Sequence, residues 1–329
     1  MIALVRKPYS SDMADDKDPW SVESDGTLSV LDMAERTGLT VELLQEVRVA
    51  SGLEPVDVDQ PVYVEGDLEA FRLLGFAADL FSWREAIGFV RVVGSSVSRI
   101  TDAANTMFIE NVERPVLRAG GTEDDLQEQV SVARDLADQL SSVMRMMLRL
   151  HLAQSIARHR RAWADQPQGG DLSPMAVGFV DLVGFTSRSL RLSASELADL
   201  VSRFERTAND TITVNRGRLV KMIGDEVMFV AATAADGCTI AESLLRRFGE
   251  EPDLTPRGGM AYGPVLTRAG DFFGPIVNLA ARLVDQAVPG EVLLSTEAAT
   301  GASRPLPAAG RRMLKGFDDP VAVVSLSLD

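Results

Sequence analysis

A pair of apolar runs joined by Gly224-Asp225 constrains the fold of this 329-residue chain more than any other feature of its sequence. The runs lie between residues 218 and 230. Gly-Asp between two such runs is the sequence signal of a tight β-hairpin. The sequence therefore predicts two neighbouring antiparallel strands, with Asp225 at the tip of their turn.

The segments on either side of this hairpin alternate between strand and helix patterns. The predicted order is strand (175–182), helices (185–214), two strands (217–231), helix (236–249), strand (257–266), helix (275–287), strand (290–295) and a C-terminal pair of strands. This order fits an α+β fold with a ferredoxin-like βαββαβ core and later additions.

Six polar residues fall at marked positions of this predicted core. One of them, Asp181, ends an apolar strand before a Gly turn, and a buried strand rarely tolerates Asp without a ligand. Pro275 can open a helix that carries two others four residues apart on one face. The full set is Asp181, Lys221, Asp225, Asp271, Asn278 and Arg282.

In these motifs the chain resembles the class III nucleotidyl cyclases, over roughly residues 172–326. The resemblance implies that Asp181 and Asp225 hold two divalent ions, Mg²⁺ or Mn²⁺, with the backbone carbonyl of Leu182 as a further ligand. Hard oxygen ligands suit such ions.

The same resemblance assigns the contacts to ATP. Lys221 and Asp271 would select adenine, Asn278 would orient the ribose, and Arg282 would stabilise the transition state. Lys315 resembles a C-terminal lysine that contacts phosphate, although a basic run before a strand is often only surface.

The chemistry explains these residue types. ATP cyclises by in-line attack of the ribose 3′-oxygen on the α-phosphorus with loss of pyrophosphate, and two metals can clamp both ends of such a displacement. The planar fork of an Arg suits the phosphoryl oxygens better than a Lys does. A Lys donates to adenine N1 and a carboxylate accepts from the N6 amine, whereas guanine reverses both positions. Lys221 and Asp271 therefore favour an adenylate cyclase over the nearer alternative, a guanylate cyclase.

Each residue alone has a simpler interpretation. Asp181 could cap a turn, Asp225 could belong to an ordinary hairpin, and Lys221, Asn278 and Arg282 could face solvent. Their joint occurrence in order favours the functional interpretation.

The composition narrows the class of protein. The formal net charge of −15 opposes nonspecific binding to nucleic acid. The single cysteine, Cys238, cannot form an internal disulfide. No apolar stretch approaches the ~18 residues of a membrane span, and the start, Met1–Lys7, is too short for the apolar region of a signal peptide. We therefore expect a cytoplasmic enzyme without a transmembrane segment.

The N-terminal half predicts an all-α regulatory domain that controls the enzyme. We expect a mobile acidic tail (1–26), a helical regulatory domain (27–122), a helical transducer and linker (123–173), and the catalytic domain (174–329).

Residues 28–44 predict helix, Gly-containing turn and helix, which resembles the MerR-type helix-turn-helix. The would-be recognition helix carries Glu42 and Glu46 against Arg48, whereas a helix that reads DNA needs net positive charge. We therefore expect a protein-contact role instead of DNA binding. A DNA-binding regulator with a cyclase-like sensor domain is the alternative that this helix disfavours.

The layout resembles bacterial cyclases with an autoinhibitory helical N-terminal domain, some of which respond to pH or fatty acids. This resemblance suggests a small apolar effector or pH as the signal. Apolar residues after residue 77 could line a cavity or form simple core. His151 and His159 lie in a basic stretch and could sense pH, or could be solvated residues without a role.

The resemblance also implies a homodimer. In that family the active sites lie at a head-to-tail interface, with the metal-binding Asp pair from one chain and the purine, ribose and phosphate contacts from the other. Lys221 and Asp225, four residues apart, would then serve different sites.

Overall fold

The structure is a computed structural model that describes residues 26–122, 140–157, 160, 172–250 and 254–328. It divides the chain into two compact units, Met1–Met147 and Leu148–Asp329. Most of the predicted tail, the predicted linker up to residue 171, and His159 lie outside the described residues. The predicted domain boundaries therefore stay predictions.

The N-terminal unit is helical, as the sequence predicts. Its helices are α1 (Val30–Thr37), α2 (Val41–Ala50), α3 (Asp67–Phe81), α4 (Trp83–Phe108) and α5 (Arg114–Arg118), with a π-helical turn at Ile109–Glu113. Residues 140–157 form a further helix, α6, on which His151 is exposed. Among the helices of the described ranges, none is both long enough and apolar enough to cross a membrane.

The predicted helix, Gly turn and helix are present at α1 and α2. Ser29 and Asp32 form a capping box at the start of α1, and Gly38 ends the helix with a φ of 77°. Thr40 then caps α2. The resemblance of this pair to the MerR-type motif stays a prediction.

The apolar stripe predicted after residue 77 is only partly core. Ile87 is buried and Val90 packs against its cluster, whereas Leu80 and Phe81 remain 65% and 61% exposed. Ser82, with a φ of 101°, separates α3 from α4. The helical period therefore does not run through residue 82, and the two stretches present different faces.

The described residues of the C-terminal unit form one mixed sheet and five helices, besides residues 148–157 of α6. Its strands are β1 (Leu172–Val183), β2 (Arg218–Ile223), β3 (Glu226–Ala231), β4 (Thr255–Arg268), β5 (Asp271–Phe273), β6 (Glu291–Ser295), β7 (Ala308–Arg312) and β8 (Val321–Ser327). Its helices are α7 (Phe185–Ser189), α8 (Ala194–Val214), α9 (Ala234–Phe248), α10 (Pro275–Val284) and α11 (Thr296–Ala299).

The topology confirms the ferredoxin-like core. The strands are ordered β2-β3-β1-β4-β6-β8-β7, and β5 pairs with β4. Strands β2, β3, β1 and β4 pair antiparallel, with a long helix between β1 and β2 and another between β3 and β4. β6 adds in parallel to β4, and β8 and β7 extend this side. Strand β5 and helix α11, which are three and four residues long, were not predicted.

Two apolar clusters cover the two faces of this sheet. On one face, Phe229 and Ala176 pack with residues of α8 and α9. On the other, Phe179 and Met228 pack with residues of α10. Side chains of a strand alternate between faces, so Asp181, two residues after Phe179, points to the α10 face.

Candidate active site

Asp181 lies at the end of β1, opposite Glu226 on β3 and Arg257 on β4. The Nε and Nη2 atoms of Arg257 both donate to Oδ2 of Asp181, at 3.0 and 2.9 Å. The Asp181 side chain is only 18% exposed. A carboxylate so enclosed needs a cation nearby, and in this structure the Arg257 guanidinium supplies it.

Asp225 lies in the two-residue turn between β2 and β3, as the sequence predicts. Gly224 has a positive φ of 64°, whereas the φ of Asp225 is negative. This is the pattern of a type II′ turn. Burial raises the pKa of the Asp225 carboxyl, and the neighbouring Asp181 raises it further. Burial also raises the pKa of the Glu226 carboxyl, and the negative charges of Asp181, Asp285 and Asp225 raise it further. Several carboxyl groups therefore oppose one another here.

These oxygens fit a divalent cation. Such an ion would relieve the repulsion between Asp181 and Asp225, and both are hard ligands. Leu182 is the register partner of Pro256 on β4, and its side chain is buried. Within the described ranges, no three carboxyl, imidazole or thiol side chains converge on one point.

Lys221 and Asp271 form an ion pair although 50 residues separate them. Lys221 Nζ lies 2.6 Å from Asp271 Oδ2, and the Phe272 N–H donates to Oδ1 at 2.9 Å. Burial would raise the pKa of Asp271, but the hydrogen bonds from Lys221 and the Phe272 backbone hold it below its usual value. The two side chains are 41% and 36% exposed, so a ligand can reach them.

Helix α10 carries Asn278 and Arg282 on its exposed side. Pro275 opens this helix, as predicted, and Gly274 precedes it. Arg282 Nη1 lies 3.6 Å from Asp285 Oδ2. The helix lies close against β4 because Gly259 has no Cβ: one built there would come within 2.3 Å of the Ala280 carbonyl oxygen.

Lys315 is exposed in the connection between β7 and β8. The neighbouring Leu314 is buried and Gly316 has a φ of 88°, so the loop is anchored beside the lysine. Lys315 is placed on a defined loop, but nothing in its surroundings assigns it a ligand.

The six polar residues of the predicted core therefore fall into three groups. Asp181 and Asp225 lie together, Lys221 and Asp271 lie together, and α10 carries the remaining catalytic candidates. Lys221 and Asp225 are four residues apart along the hairpin, about 13 Å in an extended strand. Both groups can therefore contact one nucleotide only at different ends of it, or contact two different nucleotides.

Arg257 and Glu226 were not predicted from the sequence as site residues. Glu226 directly follows Asp225, and adjacency to a candidate ligand could have found it. Arg257 is 76 residues from Asp181, and only the pairing of β1 with β4 brings the two together. An arginine at the start of an apolar strand was the one local signal.

Comparisons with known proteins relate this chain to adenylate cyclases. A family model described as an adenylate cyclase regulatory domain matches residues 21–156. An adenylate cyclase of Glutamicibacter nicotianae is 34% identical over 283 residues, which cover 80% of this chain and 68% of that protein. An uncharacterized protein of Mycobacterium tuberculosis is 30% identical over 332 residues, which cover 99% of this chain and 85% of that protein. The crystal structure of the adenylyl cyclase CyaB from P. aeruginosa aligns with 47% of this chain and 94% of its own, at 23% identity and a TM-score of 0.42.

Proposed function

Because this chain belongs to the class III adenylate cyclase family and carries an adenylate cyclase regulatory domain, we propose that it converts ATP to 3′,5′-cyclic AMP and pyrophosphate with two divalent ions, and prefers ATP to GTP. The observation that carries the substrate preference is the ion pair between Lys221 and Asp271. It places one donor and one acceptor side by side on exposed surface, which is the pattern that an adenine edge requires.

Two carboxylates hold the metals in this proposal. Asp181 and Asp225 are the side-chain ligands, and the Leu182 carbonyl is a third donor. The bound ions, Mg²⁺ or Mn²⁺, would activate the ribose 3′-hydroxyl and neutralise the leaving pyrophosphate. The crowding that raises the pKa of Asp225 supports this assignment, since ligands that repel each other gain most from a cation between them.

The purine contacts follow from the same pair. Lys221 donates to adenine N1, and Asp271 accepts from the N6 amine. Guanine carries a donor at N1 and an acceptor at O6, so each contact would become repulsive or unpaired. A site built to hydrogen-bond one pattern can reject the other by large factors.

Residues of α10 act on the reacting groups. Asn278 orients the ribose, and Arg282 meets the charge that develops on the α-phosphoryl oxygens with its planar fork. Lys315 contacts the polyphosphate from its loop. All three of these side chains are exposed in the structure.

We propose that the enzyme is a homodimer whose two sites are shared between chains. Lys221 and Asp225 are too far apart along the hairpin to contact neighbouring atoms of one nucleotide. A two-fold axis would instead place Lys221 of one protomer opposite Asp225 of its partner. The N-terminal unit would then regulate activity; its signal, whether pH or a small apolar effector, stays a prediction, as does a role for His151.

The test is a turnover assay of the purified full-length chain with ATP and with GTP, in Mg²⁺ and in Mn²⁺. We expect cyclic AMP and pyrophosphate in equal amounts, and at least a tenfold preference for ATP. Asp181→Asn and Asp225→Asn should each lower kcat by more than about 100-fold. Asp199→Asn, an exposed carboxylate on α8, is the matched control and should leave kcat unchanged.

Two results would overturn the proposal. Equal turnover of GTP would remove the role of Lys221 and Asp271. Near-normal activity in either Asp181→Asn or Asp225→Asn, in protein with an unchanged circular dichroism spectrum, would remove the metal assignment.

A further inference from the structure

Arg218 links two strands that are not neighbours in the sheet. It begins β2, at one end of the strand order, whereas β5 pairs with β4. Its Nη2 atom donates to the Gly270 carbonyl at 2.6 Å. Its guanidinium carbon also lies 5.3 Å from the centre of the Phe272 ring, within the range of a cation–π contact. Arg218 therefore contacts the residues on both sides of Asp271, Gly270 and Phe272.

The hairpin that Arg218 holds is a weak one by itself. Arg268 pairs with Asp271, and the two residues between them have φ values of 52° and 79°, which is the pattern of a type I′ turn. The first of these is Ala269, and a left-handed φ is unfavourable for most residues with a Cβ, less so for Asn and Asp. Strand β5 has only three residues. Its backbone pairing with β4 is therefore short, and besides this pairing the buried Phe272 side chain anchors the strand.

The contacts of Arg218 compensate for that weakness. A hydrogen bond to the carbonyl of residue 270 fixes the turn, and stacking on residue 272 fixes the strand. Its positive charge also favours the ionised form of Asp271, although the hydrogen bond from Lys221 is the larger of these favourable effects. The Asp271 carboxylate consequently has a defined direction before any nucleotide arrives.

We propose that Arg218 is a positioning residue for base selection: it fixes the β4–β5 hairpin so that the Asp271 carboxylate stands beside Lys221 and faces the purine edge. The inference rests on the proposed function, because it assumes that Lys221 and Asp271 read the base. Arg218 itself contacts the protein and acts through Asp271.

The test compares Arg218→Met with the wild-type full-length enzyme. Methionine keeps much of the side-chain length but removes the charge, the donor and the stacking plane. We expect the KM for ATP to rise about tenfold and the preference for ATP over GTP to fall about tenfold. The kcat at saturating ATP should change less than about threefold, because the metal ligands and α10 are not disturbed. Arg218→Lys, which keeps one donor and the charge, should lie between the two.

A second substitution separates positioning from direct contact. Asn-Gly is the favoured pair in a type I′ turn, so Ala269→Asn should rebuild the hairpin by a local route. On the Arg218→Met background it should recover a large part of the lost ATP preference. Arg304→Met is the matched control: Arg304 Nη2 donates to the Ser327 carbonyl at 2.7 Å, away from the hairpin. This control should lower the melting temperature and leave the ATP preference unchanged.

The outcomes distinguish failure of the inference from failure of the proposed function. If Asp271→Asn lowers the ATP preference but Arg218→Met and Arg218→Lys do not, the inference is wrong and the base-selecting pair stands. If Ala269→Asn gives no recovery, Arg218 acts by direct contact or charge and the positioning role is overturned. If Asp271→Asn leaves the preference unchanged, the base-selecting pair itself is wrong, and the inference falls with it.

Discussion

Gly259 is the residue through which packing most directly controls the proposed chemistry. A Cβ added there would lie 2.3 Å from the Ala280 carbonyl oxygen and 2.6 Å from the Val284 nitrogen, where ordinary contacts begin at 3.4 Å. These are backbone atoms of α10, which cannot rotate away. In Gly259→Ala the helix must therefore move away from β4 by about 1 Å, which is the difference between the 2.3 Å contact with Ala280 and an ordinary contact of 3.4 Å.

This retreat should cost activity more than stability. Helix α10 carries Asn278 and Arg282, and a misplacement of about 1 Å in a positioned group can cost about 100-fold in rate. We therefore expect kcat to fall about 100-fold in Gly259→Ala. The KM for ATP should change little, because Lys221 and Asp271 are not on the helix. Overpacking of this kind costs about 1–3 kcal/mol, which lowers the Tm by several degrees.

The assay is steady-state turnover well below the Tm, beside a thermal melt of each protein. Gly263→Ala is the matched control on the same strand. Its added Cβ would meet the end of the flexible Ile276 side chain at 2.6 Å instead of backbone. This control should keep kcat within about threefold of the wild type, since a side chain can rotate away. Full activity of Gly259→Ala in spite of a lowered Tm would refute the proposed role of α10, as would equal losses in the two variants.

Two further predictions concern the carboxylates and the shared site. Mixing inactive Asp181→Ala and Arg282→Ala proteins should restore activity, because the heterodimer has one intact site. If subunits exchange freely, the activity should reach about a quarter of the wild-type value. No recovery in samples shown to exchange subunits would place both residues at one protomer's site. Asp225→Asn should raise the Tm of the metal-free enzyme at pH 7.5 by a few degrees, since it removes a charge that burial and Asp181 disfavour. Mn²⁺ should raise the Tm of the wild type more than that of this variant. A metal-free Tm of the variant below that of the wild type would contradict the reasoning.

Local pattern was sufficient for most of the secondary structure of the C-terminal unit. The hairpin at Gly224-Asp225 and the helix opened by Pro275 both follow from turn chemistry that acts within a few residues. Strand β5 was missed for the converse reason. Ala269 is an unfavourable residue for its turn, and three residues give too short a period to detect.

The candidate site was only partly accessible from sequence. The resemblance to a family supplied residue identities, and the structure then brought Lys221 beside Asp271 as that resemblance implies. No local signal could supply the contacts of Arg218 and Arg257. Their partners lie 52 and 76 residues away and depend on how the strands are ordered and curved. Such contacts are properties of the sheet and do not appear in any window of the chain.

The two missed arginines differ in what they do for the carboxylates beside them. Arg257 neutralises Asp181 in a crowded group of acids, so a metal that binds there must compete with a cation already in place. Lys221 contacts the Asp271 side chain, whereas Arg218 donates to the neighbouring Gly270 carbonyl and so fixes the backbone beside Asp271. The first arrangement stabilises the carboxylates of the proposed metal site in the absence of an ion, and the second fixes the proposed base-reading site before a nucleotide binds. Loss of Arg257 should therefore change metal dependence first, whereas loss of Arg218 should change base preference first.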